Sequence, residues 1–162
     1  MKVQVRKITQ LDDITLNKIT DWMYNWWGIE DGYTYEAVKE RMRYSCNQDR
    51  LPQTFGLFLE DTLIGIYQFT LEDVFVRPNL YPWLACVYID KEYRGLGYGR
   101  ILMESVEIQA KENLCIKELY LYTKHIGLYE KYGWKYISDV ETYKMKDSLQ
   151  RLYKLEIVHT AI

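Results

Sequence analysis

Apolar and polar residues alternate from Val3 to Ile8, which predicts an opening strand. From Asp12 to Trp27 the apolar residues Ile14, Leu16, Ile19, Trp22, Met23 and Trp26 recur at helical spacing, and Gly28 punctuates the run. Trp26 and Trp27 are neighbours and cannot both face inward on one helix, so at least one is expected at a pocket or a partner face. Thr34 reads as the N-cap of a second helix that starts at Glu36 and Ala37 and runs through Met42 and Tyr44. Gln48 to Gln53, with Pro52 inside it, reads as a loop. Thr54–Leu59 and Leu63–Thr70 are strand patterns with only Glu60-Asp61-Thr62 between them, which predicts a hairpin.

Leu71 to Pro82 holds Pro78 and Pro82 and reads as a connection. The apolar run Trp83–Ile89 predicts a strand buried on both faces. Ile101, Leu102, Val106 and Ile108 predict a helix reaching about Glu112. Glu118–Thr123 is another strand, and Leu128–Tyr132 a short helix closed by Gly133. Trp134–Val140, Tyr143–Met145 and Arg151–Val158 complete the strand patterns. Helices and hairpins together predict a mixed α/β (α+β) fold, with 1–162 forming a single domain.

The formal net charge of −2 gives no electrostatic reason to expect a nucleic-acid partner. No apolar run approaches membrane-spanning length, so no membrane partner is expected either. Met1 to Arg6 lacks an apolar signal-peptide core, and Cys46, Cys86 and Cys115 form neither a disulfide framework nor a metal-ligand spacing. The expected location is the cytoplasm, with no bound metal. The 16 tyrosines and 5 tryptophans exceed what a core alone requires and suit a pocket or a self-association face.

The densest chemical signal is Arg94-Gly95-Leu96-Gly97-Tyr98-Gly99-Arg100, set between a strand and a helix. Glycine permits positive φ and close backbone approach to a ligand. Unpaired N–H groups at a helix start converge on an anion, and the helix dipole favours negative charge there. Arg94 and Arg100 bracket the loop and are suited to pairing with phosphates. The physical reading is pyrophosphate recognition. The spacing Gly95-x-Gly97-x-Gly99 lacks the two-residue gap of a dinucleotide fingerprint, and Gly99-Arg100-Ile101 lacks the Lys-Ser/Thr end of a P-loop.

Arg94 through Gly99 resembles the Arg/Gln-x-x-Gly-x-Gly/Ala signature of the GNAT acetyltransferases. Leu128-Tyr129-Glu130-Lys131-Tyr132-Gly133-Trp134 is similar to that family's second segment, with Trp134 where Phe is usual. The resemblance implies a curved, mostly antiparallel sheet with helices on both faces. It also implies a neighbouring parallel pair, Trp83–Ile89 and Glu118–Thr123, that splays to admit acetyl-CoA. Val87, Tyr88 and Ile89 would lie along the pantetheine, and the amides of Gly95, Leu96, Gly97, Tyr98, Gly99 and Arg100 would hold the pyrophosphate, with Arg94 beside them. Many members of the family are dimers, so the resemblance also implies a homodimer.

Acetyl transfer to an amine requires a proton to leave the amine, an oxyanion to be stabilised and the CoA thiolate to be met by a donor. Tyr129 matches the family tyrosine that serves the CoA sulfur, with Tyr132 the weaker candidate. The base stays open among Glu72, Asp73 and His125, or solution itself. Histidine is the residue type suited to taking a proton near neutral pH. Cys86 is expected in the core, since the family attacks directly without an acyl-enzyme. Trp26, Trp27, Tyr33 and Trp83 are the expected acceptor-site residues, with Asp21 shortly before the first of them and Glu30 and Asp31 between Trp27 and Tyr33. Aromatic and acidic groups together suit the amine of a small cationic molecule. The alternative from another class is a non-catalytic acyl-CoA sensor with the same fold.

Overall fold

Asp12 opens the first helix by accepting the Thr15 N–H at 2.7 Å, and α1 then spans Asp13–Met23. Its buried face carries Leu16, Ile19, Thr20, Trp22 and Met23. The chain next widens into one π-helical turn, Tyr24–Gly28, in which the Ile29 N–H reaches the Tyr24 carbonyl at 2.9 Å. A Cβ on Gly28 would come within 3.0 Å of both Tyr24 Cδ2 and Val38 Cγ2, so packing calls for glycine there. Thr34 caps α2, Tyr35–Arg43, by accepting the Ala37 N–H at 3.1 Å. The expected cap and helix are both present.

The computed structural model describes residues 1–142 and 149–159. Within them the strands are β1 Val3–Ile8, β2 Gln53–Leu59, β3 Thr62–Thr70, β4 Trp83–Ile89, β5 Glu118–Thr123, β6 Lys135–Glu141 and β7 Leu149–Glu156. Their order in the sheet is β1-β2-β3-β4-β5-β7-β6. The β1–β2, β2–β3, β5–β7 and β6–β7 pairs are antiparallel, and β4–β5 is parallel. This is the mixed, mostly antiparallel sheet that the sequence implied. The strand expected at Tyr143–Met145 lies outside the described residues.

The chain folds as two compact units. The first comprises 1–69 and 86–102, the second 70–85 and 103–162. In the first, Ile8, Leu16, Ile19, Met23, Val38, Met42 and Ile66 form the core, with Cys86 and Tyr88 packed against it. Gly65 permits β3 to approach the end of β4, because a Cβ there would meet the Tyr88 carbonyl oxygen at 2.7 Å. In the second unit, Val74, Trp83, Tyr120, Val140 and Leu152 form a separate core.

One expectation about burial needs correction. Only Trp83–Ala85 of β4 are buried, while Cys86–Ile89 are half-buried. Cys86 has φ +56, so the strand leaves regular extended geometry at its middle. The helix after the glycine loop, α3 Tyr98–Asn113, buries Leu102 and Val106 but leaves Ile101 and Ile108 exposed. Residues 102 and 106 are four apart and share one helical face, which 101 and 108 do not.

Candidate active site

The segment between β4 and α3 lies wholly in the first unit up to Leu102. The Asp90 N–H donates to the Ile64 carbonyl at 2.8 Å, which ties the end of β4 to β3. The Asp90 carboxylate caps a short 3-10 turn, Lys91–Tyr93, by accepting the Glu92 N–H at 3.2 Å. Arg94 then folds back: its Nε–H donates to the Ile89 carbonyl at 2.8 Å, and its guanidinium lies 4.9 Å from the centre of the Tyr88 ring. Arg94 therefore braces the turn. The sequence had suggested only a phosphate partner for it.

Gly95 and Gly97 take φ +76 and +87, conformations that side-chain-bearing residues rarely adopt. A Cβ at either position would meet nothing within 4 Å. Internal packing therefore does not demand glycine at these two positions. The backbone turn does, and so would close approach of a ligand. α3 begins at Tyr98, inside the glycine loop, so the positive end of its helix dipole lies at that loop. The arrangement fits a pyrophosphate, which needs converging donors and positive potential without side-chain bulk.

The aromatic segment expected at the acceptor site is in the same unit. Trp26 is 46% exposed and Tyr33 41% exposed. Trp27 is half-buried, donates its Nε1–H to Met23 Sδ at 3.3 Å and meets Tyr33 edge-on at 6.0 Å. Trp26 and Trp22 both lie against Tyr88, at 5.8 and 5.3 Å between ring centres. Tyr35 donates its hydroxyl to Asp21 at 2.7 Å, an interaction that pushes the phenol up to about 12.

The second unit holds the other candidates. Trp83 is not at an acceptor surface: it is 0% exposed, and its Nε1–H donates to the Leu80 carbonyl at 2.7 Å. Its large apolar ring is consumed by the core. Glu72 is exposed in the connection after β3. His125 is exposed just beyond β5, where its N–H donates to Thr123 Oγ1 at 3.1 Å.

Tyr129 opens a 3-10 turn, Tyr129–Tyr132, which Gly133 closes at φ +88. The Trp134 ring meets Tyr129 edge-on at 6.4 Å, and the Tyr153 ring lies at 6.3 Å. Burial pushes the Tyr129 phenol up to about 12, so the hydroxyl is protonated at neutral pH. The sequence pattern gave no warning of Tyr153, Arg151 and the tether they form with Glu130. Their only local signal is an ordinary Arg-Leu-Tyr in a strand.

The sequence profile of the acetyltransferase (GNAT) family matches residues 17–134. This chain belongs to the GNAT family. It is an acyltransferase that uses acetyl-CoA as co-substrate. Solved GNAT structures share its fold at low identity. An aminoglycoside 6'-N-acetyltransferase complexed with coenzyme A is 13% identical, has a TM-score of 0.74, and the match covers 98% of this chain and 99% of that one. Spermidine N-acetyltransferase from Vibrio cholerae, in complex with CoA and spermine, is 16% identical with a TM-score of 0.72, covering 96% and 95%. Ard1 from Thermoplasma volcanium is 13% identical with a TM-score of 0.65, covering 98% and 100%. Among the described residues of this GNAT protein no helix is long and apolar enough to cross a membrane.

Proposed function

We propose that this GNAT protein transfers an acetyl group directly from acetyl-CoA to the primary amine of a small cationic molecule. The observation that carries the acceptor class is the pair of exposed aromatic faces, Trp26 and Tyr33, interleaved with exposed Glu30 and half-buried Asp31. A cation over an aromatic face gains about 0.5–2 kcal/mol, and nearby carboxylates add attraction. Two of the similar structures are those of an aminoglycoside and a spermidine N-acetyltransferase, which agrees with a polycationic acceptor.

In the reaction a nitrogen–carbon bond forms, the carbon–sulfur bond breaks, the amine loses one proton and the CoA sulfur gains one. The backbone of Gly95, Leu96, Gly97, Tyr98, Gly99 and Arg100 would hold the pyrophosphate, and Val87, Tyr88 and Ile89 the pantetheine. Tyr129 serves the sulfur. A thiol ordinarily ionises near about 8.5, well below the Tyr129 phenol at about 12. Outright proton transfer from Tyr129 to the thiolate is therefore uphill; the phenol acts as a hydrogen-bond donor to the developing charge, and the departing thiolate takes its proton from solvent. His125 is the base by its exposure at the end of β5, and Glu72 is the second candidate. The chain works as one catalytic domain and as a homodimer, in a reducing cytoplasm that suits the free thiols Cys46, Cys86 and Cys115.

The test is release of free CoA thiol with acetyl-CoA and a panel of polyamines, aminoglycosides, amino acids and short peptides. Acetylation of polyamines or aminoglycosides supports the reading. Acetylation of neutral or acidic amines alone removes the cationic acceptor. Tight acetyl-CoA binding with no turnover on any amine would favour the sensor.

A further inference from the structure

Tyr153 sits on β7, wholly inside the second unit, at 0% exposure. Its hydroxyl donates a hydrogen bond to the Glu130 carboxylate. It also accepts the Arg151 Nε–H at 2.8 Å. The His125 carbonyl lies 3.5 Å away, but the single phenolic proton is already committed to Glu130. Arg151 is itself braced, its guanidinium 4.0 Å from the centre of the Tyr136 ring. Tyr136 in turn donates its hydroxyl to Asp139 at 2.9 Å.

Glu130 follows Tyr129 directly in the 3-10 turn. A single 3-10 turn has poor hydrogen-bond geometry and does not hold itself in place. The local backbone bonds here are long: Gly133 N–H to the Glu130 carbonyl at 3.2 Å and Trp134 N–H to the Tyr129 carbonyl at 3.3 Å. A charge-assisted bond from a rigid strand is the stronger restraint. The buried hydroxyl would cost stability if it lacked partners, and a phenylalanine would fill the same core volume without that cost. Tyrosine at this position is therefore explained by what its hydroxyl holds.

We infer that Tyr153 is a positioning residue for acetyl transfer, which fixes the turn carrying Tyr129 by tethering Glu130. The inference rests on the reading of Tyr129 as the donor to the CoA sulfur. The tether also holds the Glu130 carboxyl below the usual carboxylate range, chiefly through the Tyr153 hydrogen bond, so the acceptor is charged at neutral pH.

A double-mutant cycle on the full chain tests this. In the Tyr129 protein, Tyr153→Phe is expected to lower kcat roughly tenfold and leave acetyl-CoA affinity unchanged, because the turn moves relative to the reacting sulfur. In the Tyr129→Phe background the same change is expected to lower kcat no further. Equal losses in both backgrounds, or no loss in either, would overturn the inference. A Tyr129→Phe enzyme with full turnover would instead remove the donor reading on which it rests. Glu130→Gln, at an exposed side chain, runs the same cycle if Tyr153→Phe fails to fold. It should give a smaller loss that again vanishes without the Tyr129 hydroxyl.

Discussion

The glycine loop at 94–100 and the turn at 129–133 are both short, and both depend on glycines at positive φ, yet they are organised differently. In the loop, Gly95 and Gly97 face open space, and the groups proposed to recognise the cofactor are backbone amides. Around Tyr129 the proposed functional group is a side chain, half-buried against Trp134 and Tyr153, and the next residue, Glu130, is bonded to the Tyr153 hydroxyl. A site made of backbone needs only the right local conformations. A site made of a side chain needs a second element to hold it.

Gly97→Val should have the largest effect. A branched Cβ at φ +87 is strained and fills the space a pyrophosphate would use. Acetyl-CoA affinity by calorimetry should fall about a thousandfold, roughly 4 kcal/mol. Retained affinity in a folded protein would mean that the loop is only a turn. Tyr129→Phe comes next, with kcat expected to fall about a hundredfold and acetyl-CoA affinity preserved. Unchanged turnover would take Tyr129 out of the chemistry and leave the comparison with one functional side.

Gly65→Ala probes a glycine of the opposite kind, one that packing requires. Its Cβ would press on the Tyr88 carbonyl oxygen at 2.7 Å, which is backbone and cannot yield cheaply. Thermal unfolding should show a loss of about 1–3 kcal/mol. A neutral result would show that β3 and β4 can part at little cost. The smallest expected change is in the pH profile. Burial raises the Tyr129 phenol from 10.0 to about 12, so its donor form persists at every pH below that value. Tyr129 should then cause no fall in kcat as pH rises through about 10, the ordinary phenol value. A fall centred there that disappears in Tyr129→Phe would mean the phenol is solvated during turnover.

Much of this was legible beforehand. β1, β4 and β5 match their expected bounds, and Thr34 and Gly133 cap as their residue types require. These features are local, set by alternation, capping chemistry and glycine. Where expectation and structure part, the cause is tertiary. Trp83 was expected at the acceptor site, but a ring at the head of a central strand is worth more to the core. The helical spacing that includes Ile108 did not say which way it faces, and α3 turns it outward, 57% exposed. Arg94 also has a bracing role that its motif does not announce, because its Nε–H goes to the chain's own Ile89 carbonyl.

The order of residues was enough to point to the family and to place the glycine loop and the Tyr129 turn, because each is a contiguous motif whose conformation follows from nearby residues. Which aromatics are core and which remain exposed emerged only on folding. Folding also brought Tyr153 beside Tyr129, across 24 positions of chain, to hold Glu130. Strand pairing sets such neighbours, and no local pattern encodes which distant hydroxyl a carboxylate will meet.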